Sequence, residues 1–170
     1  MRLVCKMAII RGAYSAAAIP IFQAQKYTTL SLALLFSDAM TQITIPADKW
    51  WFPTGIILVP GAKYKFIAQG TWNDDAINCG PDGYTLQDKV PEWQWPFFRL
   101  VQGLKPLDTG DRWFQLVGKV GNSVFEIGSG MTCPAAEGGE LFCTANDVPF
   151  MFWNNKGELT LDVTELANAT

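Results

Sequence analysis

Short stretches of alternating apolar and polar residues dominate the chain from Met40 onward. Alternation of this kind indicates half-buried strands, because successive strand side chains point to opposite faces of a sheet. Such stretches, or short apolar runs between turn residues, occupy residues 41–45, 54–59, 63–69, 113–120, 124–127, 140–145 and 159–166. No comparable stretch has the 3.6-residue period of a capped amphipathic helix. The pattern therefore predicts an all-β fold, an antiparallel β-sandwich formed by residues 40–170.

Residues 73–112 interrupt this rhythm with a long segment rich in Gly, Pro, Asp and aromatic residues. Loops of such length are usually functional or disordered, and the aromatic density argues against disorder. We expect an ordered excursion at one end of the sandwich, part of which pairs as a strand. Its aromatic side chains either pack beneath the loop as a small additional core or form a platform for a sugar ring or a protein partner. These side chains are Trp93, Trp95, Phe97 and Phe98.

Residues 1–39 differ from the rest of the chain in charge. They carry four bases and one acid, a net of +3, and residues 40–170 carry the remaining 9 bases and 15 acids, a net of −6. A basic segment followed by the apolar run 30–36 and the small residues Ser37 and Ala39 is typical of a secretory signal. Three interpretations remain open: a signal peptide, a misassigned start codon with Met40 as the true start, and a folded extension. A signal peptide would imply a secreted or cell-surface protein, and its absence a cytoplasmic one.

Composition excludes several functional classes. The chain contains no histidine, which removes Ser-His-Asp and Cys-His catalysis, His-ligated zinc and histidine pH switches. Thirteen basic and 16 acidic residues give a formal net charge of −3, whereas a nucleic-acid binder needs a surplus of Lys and Arg. We therefore expect no nucleic-acid partner. We also expect no membrane span, since no uninterrupted apolar run of about 20 residues occurs.

The four cysteines leave the redox compartment open. Cys133 and Cys143 flank the loop 134–139, so a disulfide between them is sterically conceivable. Zinc is disfavoured, because the chain has no CxxC pair.

The loop 146–157, between the last two predicted strands, concentrates side-chain oxygens. It holds the carboxylate of Asp147 and the adjacent amides of Asn154 and Asn155 within nine residues. A calcium ion takes six to eight oxygen ligands from carboxylates, amides and peptide carbonyls, and needs no nitrogen or sulfur. Asp and Asn also occur in ordinary turns, where they satisfy backbone groups. On composition alone, a calcium site and a plain turn both remain possible.

The same loop resembles the signature loop of the PA-I galactophilic lectin family, which are bacterial calcium-dependent lectins. The matching pieces, in chain order, are Ala68-Gln69-Gly70 with Trp72, Gly80-Pro81-Asp82-Gly83, residues 116–123, Asn146-Asp147-Val148-Pro149, Asn154-Asn155 and Gly157. The resemblance covers residues 45–166. It implies a small jelly-roll-like β-sandwich, similar to a galactose-binding domain, that binds sugar without catalysing a reaction.

The resemblance also implies roles for individual residues. Asp147, Asn154 and Asn155 would give side-chain oxygens to calcium, and Met151 and Asp74 would give backbone carbonyls. Two sugar hydroxyls would complete the coordination shell. The residues implied to contact sugar are Asp147, Val148, Met151, Asn154 and Gln87.

One departure bears on sugar specificity. The family uses a histidine and a glutamine near the exocyclic hydroxyl, and this chain has no histidine. Galactose or a related sugar is the expected ligand, and a homo-oligomer would add avidity.

Two other functions remain open. One is a calcium-stabilised structural or protein-interaction module without sugar binding. The other, less favoured, is a glycosidase that uses two carboxylates. Its candidates are Asp74, Asp75, Asp82, Asp88 and Asp147, with no defined separation. We expect the protein not to be an enzyme.

Overall fold

Eleven strands and two short α-helices make up most of residues 40–167, the part of the chain that this computed structural model describes. The strands are β1 (Met40–Pro46), β2 (Phe52–Leu58), β3 (Lys63–Asp74), β4 (Ile77–Cys79), β5 (Tyr84–Thr85), β6 (Arg112–Trp113), β7 (Leu116–Val120), β8 (Ser123–Glu126), β9 (Gly130–Pro134), β10 (Gly139–Ala145) and β11 (Asn155–Leu166). The helices are α1 (Leu86–Lys89) and α2 (Trp95–Val101). Three 3₁₀ turns occupy Glu92–Gln94, Gln102–Leu104 and Pro149–Asn154.

The strands form two antiparallel sheets and a small ribbon. The first sheet has the order β1-β11-β3-β4, with β9 also pairing to β3, and the second has the order β2-β10-β7-β8. β5 and β6 form a separate two-stranded pair. The long strands β3 and β11 pair along their whole length, from Lys63 opposite Leu166 to Asp74 opposite Asn155. The predicted all-β sandwich is confirmed.

The core is built from the alternate positions that the sequence pattern marks as apolar. On β3 the buried residues are Tyr64, Phe66, Ala68 and Trp72, and on β11 they are Leu159, Leu161 and Val163. Strand alternation places each set on one face. Each strand thus has an inward face that is buried except at Gly70 and Gly157, and the ends of these faces define the candidate site.

The excursion 73–112 is ordered, and part of it pairs as a strand, as expected, although the sequence did not indicate that this part is β5, which pairs with β6. It also contains α1 and α2, which the sequence analysis did not predict. Trp95 and Phe98 pack against the core, and Phe98 meets Trp113 edge to face at 4.9 Å. Trp93 and Phe97 are exposed. The additional core therefore holds half of the aromatic set and leaves the other half available to a ligand or partner.

Cys79, Cys133 and Cys143 are free thiols, so the Cys133–Cys143 bridge that sequence allowed is not formed. Cys133 lies on β9 of the first sheet and Cys143 on β10 of the second. In residues 40–167 no helix is long and apolar enough to cross a membrane. The interpretations of residues 1–39, and the remaining Cys5, lie outside the described residues.

Candidate metal centre

The inward faces of β3 and β11 end in polar residues. On β3 the buried even-numbered positions run from Tyr64 to Asp74, and on β11 the buried odd-numbered positions run back from Val163 to Asn155. Asp74 and Asn155 are register partners. The two strands therefore bring a carboxylate and an amide together at one end of the apolar core, where water is largely excluded.

The loop from β10 to β11 supplies the other polar side chains. Asp147 follows β10, Val148 is extended, and Pro149 opens the 3₁₀ turn that ends at Asn154. Proline suits that first position, because its φ is fixed and no amide hydrogen is needed there. The Met151 amide donates to the Val148 carbonyl at 3.0 Å and closes the turn. The compact turn returns Asn154 and Asn155 to the neighbourhood of Asp147.

Four buried side chains meet at this point: Asp74, Asp147, Asn154 and Asn155. The Asn155 Nδ2 donates to Asp147 Oδ2 at 3.2 Å and to the Ala47 carbonyl at 3.4 Å. The Asn154 Nδ2 donates to Asp74 Oδ1 at 3.5 Å. In both asparagines the amide nitrogen is thus engaged, and the amide oxygen is directed elsewhere.

Those two amide oxygens lack partners. Asn154 Oδ1 and Asn155 Oδ1 are fully buried and accept no hydrogen bond from any described residue. A buried polar atom without a partner costs about 1–3 kcal/mol, and native proteins rarely leave one unexplained. Two such acceptors beside two carboxylates form a cluster that a positively charged or hydrogen-donating ligand would satisfy.

The two carboxylates also lack sufficient compensation. Burial, and next the negative charge of Asp74, raise the pKa of Asp147 to about 7. The Val148 amide, which donates to Asp147 Oδ1 at 2.7 Å, and the Asn155 amide lower it in part. Burial likewise raises the pKa of Asp74, against a hydrogen bond of 2.5 Å from the Tyr84 hydroxyl. Each raised pKa reports a buried carboxylate whose charged form is incompletely compensated. For Asp147 the positive charge of Lys105 lowers the pKa only in part.

This donor set fits a hard divalent cation. Carboxylate and amide oxygens are the ligands that calcium takes, and all four side chains present them at one end of the core. Within residues 40–167 no group of three His, Cys, Asp or Glu side chains is placed to hold a metal. A site here would therefore depend on the two asparagine oxygens as much as on the two carboxylates, which suits calcium better than zinc or a redox metal.

A cleft of about 270 Å³ adjoins the cluster. Asp74 and Asn154 reach it from the cluster, and Met151 from the 3₁₀ turn. The excursion supplies the opposite wall, including α1 and the residues before and within α2. Its other lining residues are Asp75, Ala76, Ile77, Tyr84, Lys89, Val90, Pro91, Gln94 and Phe98. The cleft has the size of a monosaccharide site and ends at the candidate metal ligands.

The structure brings most of the sequence-predicted site residues together. Val148 is fully buried, and its amide binds Asp147. Met151 lies at the cleft. Asp74, expected to contribute only a backbone carbonyl, also places its carboxylate in the cluster. Gln87 is the exception: its amide donates to Asp111 Oδ2 at 2.7 Å, and it does not line the cleft.

Sequence reasoning missed two residues that shape the site. Tyr84 binds Asp74, and its pKa is raised, mainly by burial and next by the charge of Asp74, so the hydroxyl stays protonated as a donor. Asn146 is fully buried and exchanges two hydrogen bonds with the backbone of Leu107, at 3.0 and 2.9 Å. It thereby fixes the excursion beside Asp147. The only sequence signal for their roles is position: Tyr84 follows Gly83 of one matching piece, and Asn146 precedes the candidate ligand Asp147.

The side chains between the candidate ligands divide between core and surface. Phe152 is buried and meets Trp50 edge to face at 5.3 Å. Phe150 is 53% exposed and Trp153 is 82% exposed. Phe152 thus packs inward, and Phe150 and Trp153 lie at the surface.

Comparison with known proteins supports the fold. One solved structure, the EclA N-terminal domain, described as a PllA-like lectin, is similar to this chain with a TM-score of 0.54 and 17% sequence identity. The match covers 73% of this chain and 94% of that domain. No family model matches the sequence, and no curated protein matches it. The chain thus shares a β-sandwich fold with a lectin domain.

Proposed function

We propose that this protein is a calcium-dependent lectin that binds a galactose-like sugar in the cleft beside Asp74 and Asn154. The observation that carries the proposal is the pair of buried, unpartnered oxygens of Asn154 and Asn155, which face no donor among the described residues. They lie in one cluster with two carboxylates whose pKa values are raised. The likeness to a lectin domain supports the same interpretation.

The cluster would hold the ion through the side chains of Asp74, Asp147, Asn154 and Asn155, with the Met151 backbone carbonyl as a further ligand. A bound calcium ion supplies vacant coordination positions that a sugar's vicinal hydroxyls can occupy. The protein residues around the ion determine which sugar is bound. Asp74 and Asn154 lie at both the cluster and the cleft, so they can bind metal and hydrogen-bond the same hydroxyls.

Preorganisation supports a binding role. Asn155 is fixed by Asp147 and Ala47, and Asp74 by Tyr84, so both side chains are oriented before any ligand arrives. Groups held in this way lose little conformational entropy on binding. We expect no catalysis, because a lectin needs no acid or base that acts on the glycosidic bond.

The test is sugar binding by isothermal titration calorimetry, with methyl galactoside and methyl glucoside, in calcium and in chelator. We expect galactoside binding in calcium only. Asn154→Ala should abolish it, because the variant lacks an oxygen for the metal and for the sugar. The matched control Asn78→Ala removes an exposed amide on β4, whose only hydrogen bond is to Asn73, and should bind normally. Equal binding with and without calcium would refute the proposal. Calcium binding without any sugar binding would favour the structural module.

A further inference from the structure

The excursion places one positive charge in the cleft. Lys89, the last residue of α1, is the only basic residue among those lining it. It forms no ion pair within 4 Å in the described part of the chain. The adjacent Asp88 carboxylate instead accepts a hydrogen bond of 2.5 Å from the Thr85 hydroxyl. The ammonium group of Lys89 is therefore available to a ligand.

We infer that the cleft prefers a sugar with an anionic substituent, a hexuronate carboxylate in particular, which Lys89 pairs with. This inference rests on the proposed function, since it takes the sugar to be held at the cluster of Asp74 and Asn154. A uronic acid differs from its parent hexose only at the exocyclic carbon.

The charges around the cleft act on an anionic ligand in opposite directions. Its acidic lining residues are Asp74 and Asp75. Asp74 belongs to the cluster, where with Asp147 it balances a divalent cation. Asp75 lies in the two-residue turn between β3 and β4, is exposed, and has a φ of 50°. Once the cluster is neutralised, Lys89 and Asp75 are the remaining charges that an anionic ligand meets, one attractive and one repulsive.

The neighbouring residues suit a polar substituent. Gln94, half-buried before α2, lines the same wall and offers amide hydrogens that a carboxylate can accept. Val90, Pro91 and Phe98 provide apolar contacts beside it. Lys89 itself is exposed, so water and salt weaken its pairing with a bound anion.

The experiment compares methyl galacturonide with methyl galactoside by calorimetry in saturating calcium, at low salt and at 0.5 M salt. We expect the galacturonide to bind about fivefold more tightly at low salt, the size of an exposed to half-buried ion pair, and the difference to shrink at high salt. Lys89→Gln should bring the ratio of the two affinities to one or below, because Asp75 then repels the carboxylate unopposed, and Asp75→Asn should enlarge the ratio. The control Lys63→Gln, at the opposite end of β3, should leave the ratio unchanged.

Equal affinities for the two sugars in the unaltered protein would overturn the inference while leaving the proposed function intact. A galacturonide preference that survives Lys89→Gln would also overturn it, because the carboxylate would then be bound by the metal. Failure of both sugars to bind would overturn the inference and the proposed function together. Thermal melts of each variant in calcium establish that the substituted proteins are folded.

Discussion

Replacing Asp147 by asparagine should stabilise the calcium-free protein and abolish its stabilisation by calcium. The two effects have opposite signs because Asp147 is a buried carboxylate beside Asp74, and the charge of Lys105 offsets only part of the cost of its charged form. If Asp147 only shaped a turn, the substitution would destabilise the protein in every buffer. The sign of the effect in chelator therefore separates a ligand site from a turn.

The size of the effect follows from the electrostatics. A rise in the Asp147 pKa from an ordinary value of about 4 to about 7 corresponds to about 4 kcal/mol against the charged form at pH 8. Asparagine keeps the acceptor for the Val148 amide but sets its own NH₂ group against the Asn155 amide, at a cost of about 2 kcal/mol. The net gain is about 2 kcal/mol, or a rise in Tm of about 7 °C for a domain of this size.

Differential scanning calorimetry at pH 8, in chelator and in millimolar calcium, tests both effects. The unaltered protein should gain stability with calcium, by about 2.7 kcal/mol when calcium is at one hundred times its Kd. Asp82→Asn is the matched control: Asp82 accepts a hydrogen bond from the Ser129 amide at 2.6 Å away from the cluster, and this variant should keep the full calcium shift. A lower Tm for Asp147→Asn in chelator, or a preserved calcium shift, would refute the reasoning.

Three further predictions concern the same end of the molecule. In chelator, the free energy of unfolding should fall as pH rises from about 4 to 7, because the folded state holds protons on Asp74 and Asp147 that the unfolded chain has released. Calcium should therefore stabilise the protein strongly at pH 8 and little at pH 5. Urea titrations at each pH measure this, and a stability in chelator that does not change with pH would contradict the account. Asn146→Ala should cost about 2–4 kcal/mol in urea unfolding, since it leaves buried backbone groups of the excursion unpaired, and a loss below 1 kcal/mol would contradict this. Gly83→Ala should cost about 3 kcal/mol or more by the same assay, because Gly83 has a φ of 70° and an added Cβ would overlap the Trp113 carbonyl. A Gly83→Ala variant as stable as the unaltered protein would contradict the described backbone conformation at this position.

The sandwich could be predicted because its long strands carry a regular period of two. On β3 and β11 nearly every inward position is apolar, and the structure buries those positions. The short strands β4, β5, β6 and β9 were missed because a few residues cannot show a period. β9 begins at the turn residue Gly130 and has only three residues between that glycine and its proline. Its pairing is fixed by β3 rather than by its own pattern.

The helices of the excursion were missed for a different reason. α1 has four residues and α2 seven, so neither spans enough turns to show a period of 3.6. Their position depends on contacts distant in sequence, such as Asn146 with Leu107 and Gln87 with Asp111. The second of these contacts takes Gln87 out of the cleft, and no local pattern in the sequence could have shown it.

The candidate ligands were more accessible to sequence reasoning than the cleft. Asp147, Asn154 and Asn155 lie within nine residues of one loop, so their proximity follows from the chain itself. Asp74 joins them through the pairing of β3 with β11, which places its whole carboxylate in the cluster. Lys89 and Gln94 come from a segment whose course the sequence does not specify, so the wall opposite the cluster emerges only from the structure.

The most direct test of the account is a calcium titration of the metal-free protein by calorimetry, without and with saturating methyl galactoside. We predict one calcium ion per chain and a lower Kd for calcium when the sugar is present. Binding linkage requires that the sugar tighten calcium binding by the same factor as calcium tightens sugar binding. A calcium Kd that does not change with sugar, or no calcium binding at all, would contradict the central claim that one cluster of oxygens holds both.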